Sequence, residues 1–122
     1  MSPAAEEKLG TLKISDDVIA ICAMNAALKT KGVAGLTGAF TDNLSKNLFG
    51  KDPLYKGIKV NQGDDGIGID IYIVVEYGVK IPEVAWDVQE NVKKEVETMT
   101  DAVVRAVNIH VQGVHFTDGE GR

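Results

Sequence analysis

A single cysteine, Cys22, stands among the 122 residues, so no intramolecular disulfide is available and nothing points to an oxidising compartment. The cytoplasm is the expected location. Histidine is scarce too: His110 and His115 are the only imidazoles, and no further cysteine or histidine completes a zinc set with them. Five positions apart in a strand, they fall on opposite faces unless a bulge intervenes. Neither a metal nor a cofactor is expected. Long apolar runs are missing, since the longest nearly apolar stretch, Val18 to Leu28, falls well short of the ~20 residues that span a bilayer. The opening residues carry Glu6, Glu7 and Lys8 where a secretory signal has a basic and then an apolar region, and no lipidation signal is read at either end. Basic excess is the last absence. Eighteen acidic against thirteen basic side chains leave a net charge of -5, which repels nucleic-acid phosphates and anionic lipid alike. Lys29 with Lys31, and Lys93 with Lys94, are flanked by apolar or acidic residues and read as solvated surface. Nucleic acid is not an expected partner, there is no direct membrane insertion, and any approach to the membrane should run through another protein.

What is present is the composition of a folded chain, 44% hydrophobic and 25% charged. The length fits one domain, expected over 9–116, with polar tails at 1–8 and 117–122. Leu9, Leu12 and Ile14 suggest a short first strand. Ser15, Asp16 and Asp17 then supply a cap and first-turn acid for a helix running to about Thr30 and stopping at Gly32. That helix is apolar almost all round, which suggests burial on more than one side, within the domain or against another subunit. Val33 to Phe40 reads as a strand, and Thr41 to Pro53 as a long connection holding one short helix. Gly57 to Gln62 and Ile67 to Tyr77 form a hairpin across Gly63 to Gly66, with Ile67, Ile69, Ile71, Ile73, Val75 and Tyr77 on one face of its second strand. Val84, Val88, Val92, Val96 and Met99 mark one face of a second helix opened by Pro82 and Glu83, with Glu90 and Lys94 as a pair on its outer face. Val103 to Val111 closes the domain as a strand, kinked at Gly113. The expected class is α+β, a mixed β-sheet with helices packed on one face, in the order β-α-β-β-β-α-β.

The candidates for chemistry reduce to structure one by one. Cys22 lies between Ile21 and Ala23 without a nearby cation to lower its pKa, and reads as a buried structural thiol. Asp64, Asp65 and Asp70 lack the ligand spacing of a calcium loop and read as turn residues. Gly63, Gly66 and Gly68 open no helix and precede no lysine, so no phosphate loop is present. Gly35, Leu36, Thr37 and Gly38 match the loop of KH domains in letter only, with no basic residue among them. No nucleophile, base and anion-stabilising donor can be assembled, so no catalytic residue and no enzyme is expected. Trp86 lies off the valine stripe of its helix, either at an interface or tucked under a loop. Leu44, Leu48 and Phe49, on the long connection, are further interface candidates because such connections are exposed and often bind.

The stretch Lys56 to Val60, the hairpin, and Tyr77 to Ala85 resemble the alkaline shock protein family. Val88, Gln89, Val92, Val96, Glu97, Met99 and Thr100 are similar to that family's second helix, and Val107 to Val114 to its closing strand. The resemblance covers roughly Leu9 to Phe116. It implies a bacterial, non-catalytic protein of envelope stress and cell-wall homeostasis, self-associating as a homo-oligomer, with a membrane-protein anchor or a metabolic enzyme as a possible partner. A non-enzymatic scaffold is therefore the leading expectation. Its rival is a small-ligand or nucleic-acid binding regulator, acting on lipid metabolism and using Thr41 to Pro53 as a lid.

Overall fold

The alternation read over residues 67–75 governs the architecture. In the computed structural model, which describes residues 9–37 and 57–116, Ile67, Ile69, Ile71, Ile73 and Val75 are all buried, on one side of a strand β3 spanning Gly66–Glu76. Helices α1 (Asp16–Leu28) and α2 (Ile81–Thr100) pack on that side. The other strands are β1 (Val33–Leu36), β2 (Ile58–Gly63) and β4 (Val104–His115). All three pair with β3, the first two antiparallel and β4 parallel, so the sheet is mixed.

Because β4 runs along β3 from Ile67 to Glu76, the two shorter strands must share the opposite edge. Their registers meet end to end: Leu36 lies opposite Ile73 and Ile58 opposite Ile71. Tyr72 bridges the gap, its carbonyl accepting from the Thr37 N–H and its own N–H donating to the Gly57 carbonyl, both at 2.8 Å. In effect β1 and β2 act as one interrupted strand, with Thr37 and Gly57 meeting across a single residue of β3. Gly57 is needed at the junction, since a Cβ there would stand 2.7 Å from the Thr37 carbonyl oxygen.

The helices are held by the features that sequence suggests. The Ser15 hydroxyl accepts from the Val18 N–H at 3.3 Å, and the chain turns at Gly32 with φ +98. α1 buries Ile19, Ala20, Cys22, Ala23, Ala26 and Ala27, whose small side chains let it approach both sheet and α2. Beyond its end, Thr30 is buried and satisfied, donating to the Ala26 carbonyl and accepting from the Asn91 amide, each at 2.9 Å. In α2 the stripe Val84, Val88, Val92, Val96 is buried as expected.

A second row of α2 closes the free edge of β4. Gln89 donates to the Val107 carbonyl at 2.9 Å, Lys93 to the Val104 carbonyl at 3.1 Å, and Glu97 accepts from the Val104 N–H at 2.9 Å. This blunts an edge that would otherwise offer unpaired backbone groups to another strand.

Several expectations need correction. The opening strand does not form: Leu9 is helical, residues 10–15 are irregular, and Leu9 and Leu12 are exposed, so no apolar face exists there to hold a strand to the sheet. Met99 does not continue the valine stripe but is 65% exposed, and Tyr77, which lies past the end of β3 at Glu76, does not continue the buried isoleucine row but is 67% exposed. The ion pair on α2 is Lys93 with Glu97 at 2.9 Å, not Glu90 with Lys94, because Lys93 is drawn to the β4 edge. The expected strand Val33 to Phe40 is seen as Val33–Leu36, and the helix expected in Thr41 to Pro53 lies outside the described residues.

The valine stripe yields a direct test. Val88→Asp should cost about 4 kcal/mol or more, by placing an unpaired carboxylate in the layer between α2 and the sheet. Glu90→Ala on the exposed side should change stability by less than ~0.5 kcal/mol. Urea melts giving similar midpoints for the two variants would contradict this packing.

Candidate interaction surface

The face of the sheet away from the helices carries the alternate residues of β3, Asp70, Tyr72, Val74 and Glu76, all half-buried. Two register shifts in β4 decide what stands beside them. The second lies where Ile73 pairs with Val111 but Val74 pairs with Gly113, so Gln112 is extra. His110 is thereby set opposite Tyr72 and His115 opposite Glu76, and both imidazoles share this open face. The bulge at Gly113 is the intervening feature on which their placement depended.

The result is an ordered polar and aromatic surface. The rings of Tyr72 and His110 stack with centroids 4.3 Å apart and 11° between planes. His110 Nε2 lies 3.1 Å from Asp70 Oδ1, and the Lys59 ammonium stands 5.6 Å from the Tyr72 ring centroid. His115 Nδ1 is 3.4 Å from Glu76 Oε1, and Tyr77 stacks on Phe116 with centroids 4.5 Å apart. At the other end Arg105 pairs with Asp65 at 3.3 Å and lies across Gly68, where a Cβ would meet its Nη2 at 2.7 Å. Of the aspartates read as turn residues, Asp64 and Asp65 do form the turn between β2 and β3, Asp65 also pairing with Arg105, whereas Asp70 lies within β3 and engages His110. The hydrogen bond from His110 is the main cause that keeps Asp70 below the usual carboxylate range, with Asn108 and Lys59 contributing.

The helical layer has its own outward surface. Trp86 is 60% exposed, on the side of α2 opposite Val84 and Val88, where Glu83, Asp87 and Glu90 are its exposed neighbours. Leu44, Leu48 and Phe49 lie outside the described residues. A cleft of ≈ 520 Å³ runs between the helices, with Ala26 at its floor and Lys29, Asn91, Glu95 and Met99 around it.

Cys22 is buried in α1, and its thiol is pushed up first by that burial and then by the nearby Glu95 carboxylate. A thiol so placed is a poor nucleophile. Gly35 and Leu36 lie within β1, so the KH-like letters do not form a loop there. Among the described residues, no three of His, Cys, Asp and Glu are grouped as metal ligands.

A family model described as "cell envelope-related function", that of alkaline shock protein 23 (ASP23), matches residues 4–116. The chain belongs to the ASP23 family. YqhY of Bacillus subtilis (strain 168) is 43% identical over 108 residues, covering 88% of this chain and 79% of that protein. YloU of the same organism is 39% identical over 120 residues, covering 97% and 99%. A stress response regulator gls24 homolog of Streptococcus pyogenes serotype M3 is 31% identical over 102 residues, 84% of this chain and 57% of that protein. Among solved structures, MamM-CTD 215-293 aligns with a TM-score of 0.50 at 13% identity, over 81% of this chain and 99% of that one, a likeness of fold alone.

Two surfaces of this ASP23-family chain escape a reading of residue types. The Tyr72–His110 stack depends on strand pairing between residues far apart in sequence, and the extra residue before Gly113 bears only on His115 joining the same face. The outward face of α1 is hidden by uniform apolarity: Val18, Ile21 and Leu28 are each close to half exposed, although nothing in the helix distinguishes them from its buried residues.

The Asp70 contact makes stability depend on pH. A carboxylate whose folded pKa lies below its unfolded value stabilises the fold above the unfolded value, near ~4, and that contribution is lost as pH falls through the folded value. Asp70→Asn should therefore cost up to ~1 kcal/mol at about pH 7, screening limiting so exposed a pair, and little at about pH 2. Urea melts at the two pH values test this, and an equal deficit at both would show that the carboxylate charge is not what matters.

Proposed function

We propose that this chain is a non-enzymatic interaction protein that self-associates and docks on a partner protein in the response to cell-envelope stress. The exposed Trp86 is the observation that carries the reading. An indole held in water on the outside of a helix is an unused anchor of the kind that dominates protein interfaces, and the carboxylates of Glu83, Asp87 and Glu90 around it form a polar rim. The family description and the stress response regulator among the relatives support the physiological setting.

The groups that catalysis would need favour the same reading. His110 is stacked on Tyr72 and engaged by Asp70, and the thiol of Cys22 is buried. The cleft between the helices is open and rimmed by Lys29, Lys94 and Glu95. Contact with the membrane runs through a protein partner on this reading. Among the described residues no helix is long and apolar enough to cross a bilayer, and the net charge of -5 opposes anionic lipid.

The test is a Trp86→Ala substitution in the host chromosome, compared with deletion and wild type under cell-wall antibiotic and alkaline challenge. The variant should match the deletion in sensitivity while its protein level and melting temperature stay at wild-type values. Wild-type tolerance in the variant, with the deletion sensitive, would remove Trp86 as the docking anchor.

A further inference from the structure

The outward side of α1 is the second unpartnered surface, and its charge pattern selects one occupant. Val18, Ile21 and Leu28 are 47%, 48% and 46% exposed, with Met24 partly buried beside them. Their spacing puts them in one row over three turns, with the exposed amide of Asn25, which donates to Glu95 at 2.8 Å, standing between Ile21 and Leu28. Solvated helix faces normally interleave charge, yet from Val18 to Leu28 there is no charged residue. The charges stand at the ends: Asp16 and Asp17 in the first turn, Lys29 and Lys31 beyond the last.

We infer that this face binds a second copy of the chain, α1 against α1, antiparallel about a two-fold axis. In a parallel pairing acid would meet acid at one end and lysine would meet lysine at the other. Turned antiparallel, each acidic end meets a basic end, and the helix dipoles oppose. The register closes as well. An axis at the level of Ala23 sets Val18 against the other copy's residue 28, a leucine, Ile21 against its residue 25, an asparagine whose amide is already engaged by Glu95, and Asp17 against its residue 29, a lysine. Lys29 is free to make this contact: its side chain is 64% exposed, and its link to Glu95 within the chain is long, at 3.7 Å. The buried face of alanines anchors the helix rigidly to its own domain, so the outer row is presented without the cost of ordering it. One helix per partner is a small contact, which implies concentration-dependent association.

This inference names the contact behind the self-association proposed above and rests on it. The experiment is sedimentation velocity of the full chain over a range of concentrations, with Ile21→Ser, Asp17→Lys, Lys29→Asp and the double exchange Asp17→Lys with Lys29→Asp, each checked by thermal melt. Ile21→Ser should abolish association, its site being half exposed and outside the core. Each single reversal, which puts like charges together at both ends, should raise Kd about tenfold. The double exchange should restore the wild-type Kd, because it rebuilds both pairs with their signs swapped. If the wild type associates and all four variants match it, α1 is not the contact although self-association stands. Weakened single variants with no recovery in the double exchange would overturn the antiparallel register. A wild-type chain that stays monomeric throughout would overturn both this contact and the self-association it rests on.

Discussion

Everything in this domain is organised by the alternation of β3. Its isoleucines at 67, 69, 71 and 73 all point to one side, where they are fully covered or nearly so, and the strand is paired along both edges. Burying that row requires both helices on the same side. It follows that the residues between, Asp70, Tyr72 and Glu76, are committed to the opposite face. The parallel return of β4 then requires α2 as its crossover, and α2 in turn guards the edge of β4 through Gln89, Lys93 and Glu97. Glu97 is held below the ordinary carboxylate range by the Val104 N–H and then by Lys93, a sign of how closely helix and edge are joined.

A fold closed on one side only has outward surfaces in surplus. Its polar groups are largely engaged with one another, histidine with carboxylate, arginine with aspartate, tyrosine with imidazole. Several of its apolar groups are not: Trp86, Val18, Ile21 and Leu28 retain substantial contact with water. This division, with polar groups paired and anchors unpaired, suits a protein that acts by contact.

How much of this was legible in the sequence follows from how local each feature is. The two helices, the hairpin and the buried valines of α2 are written in periodicity and capping, and they appear where those signals put them. The class, a mixed sheet with helices on one face, follows from their order. The supposed strand at Leu9, Leu12 and Ile14 failed because three apolar residues without strict alternation carry too little signal, and only Ile14 packs on the core. The union of β1 with β2 across residues 38–56 could not be read, since it is a fact of pairing to Tyr72. The same holds for the shared face of His110 and His115, which a single extra residue decides. Of the candidate interface residues, Trp86 was recognisable because it breaks the valine stripe, whereas the outer row of α1 was lost in a helix with apolar residues on every side.

The central claim, function through protein contact and not through chemistry on a bound molecule, is open to one measurement above others. Native mass spectrometry of the chain purified from its own host reads every stoichiometric companion at once. The account predicts masses at multiples of the chain or of the chain with another protein, and no small molecule retained. A monomer carrying a stoichiometric small molecule would contradict it.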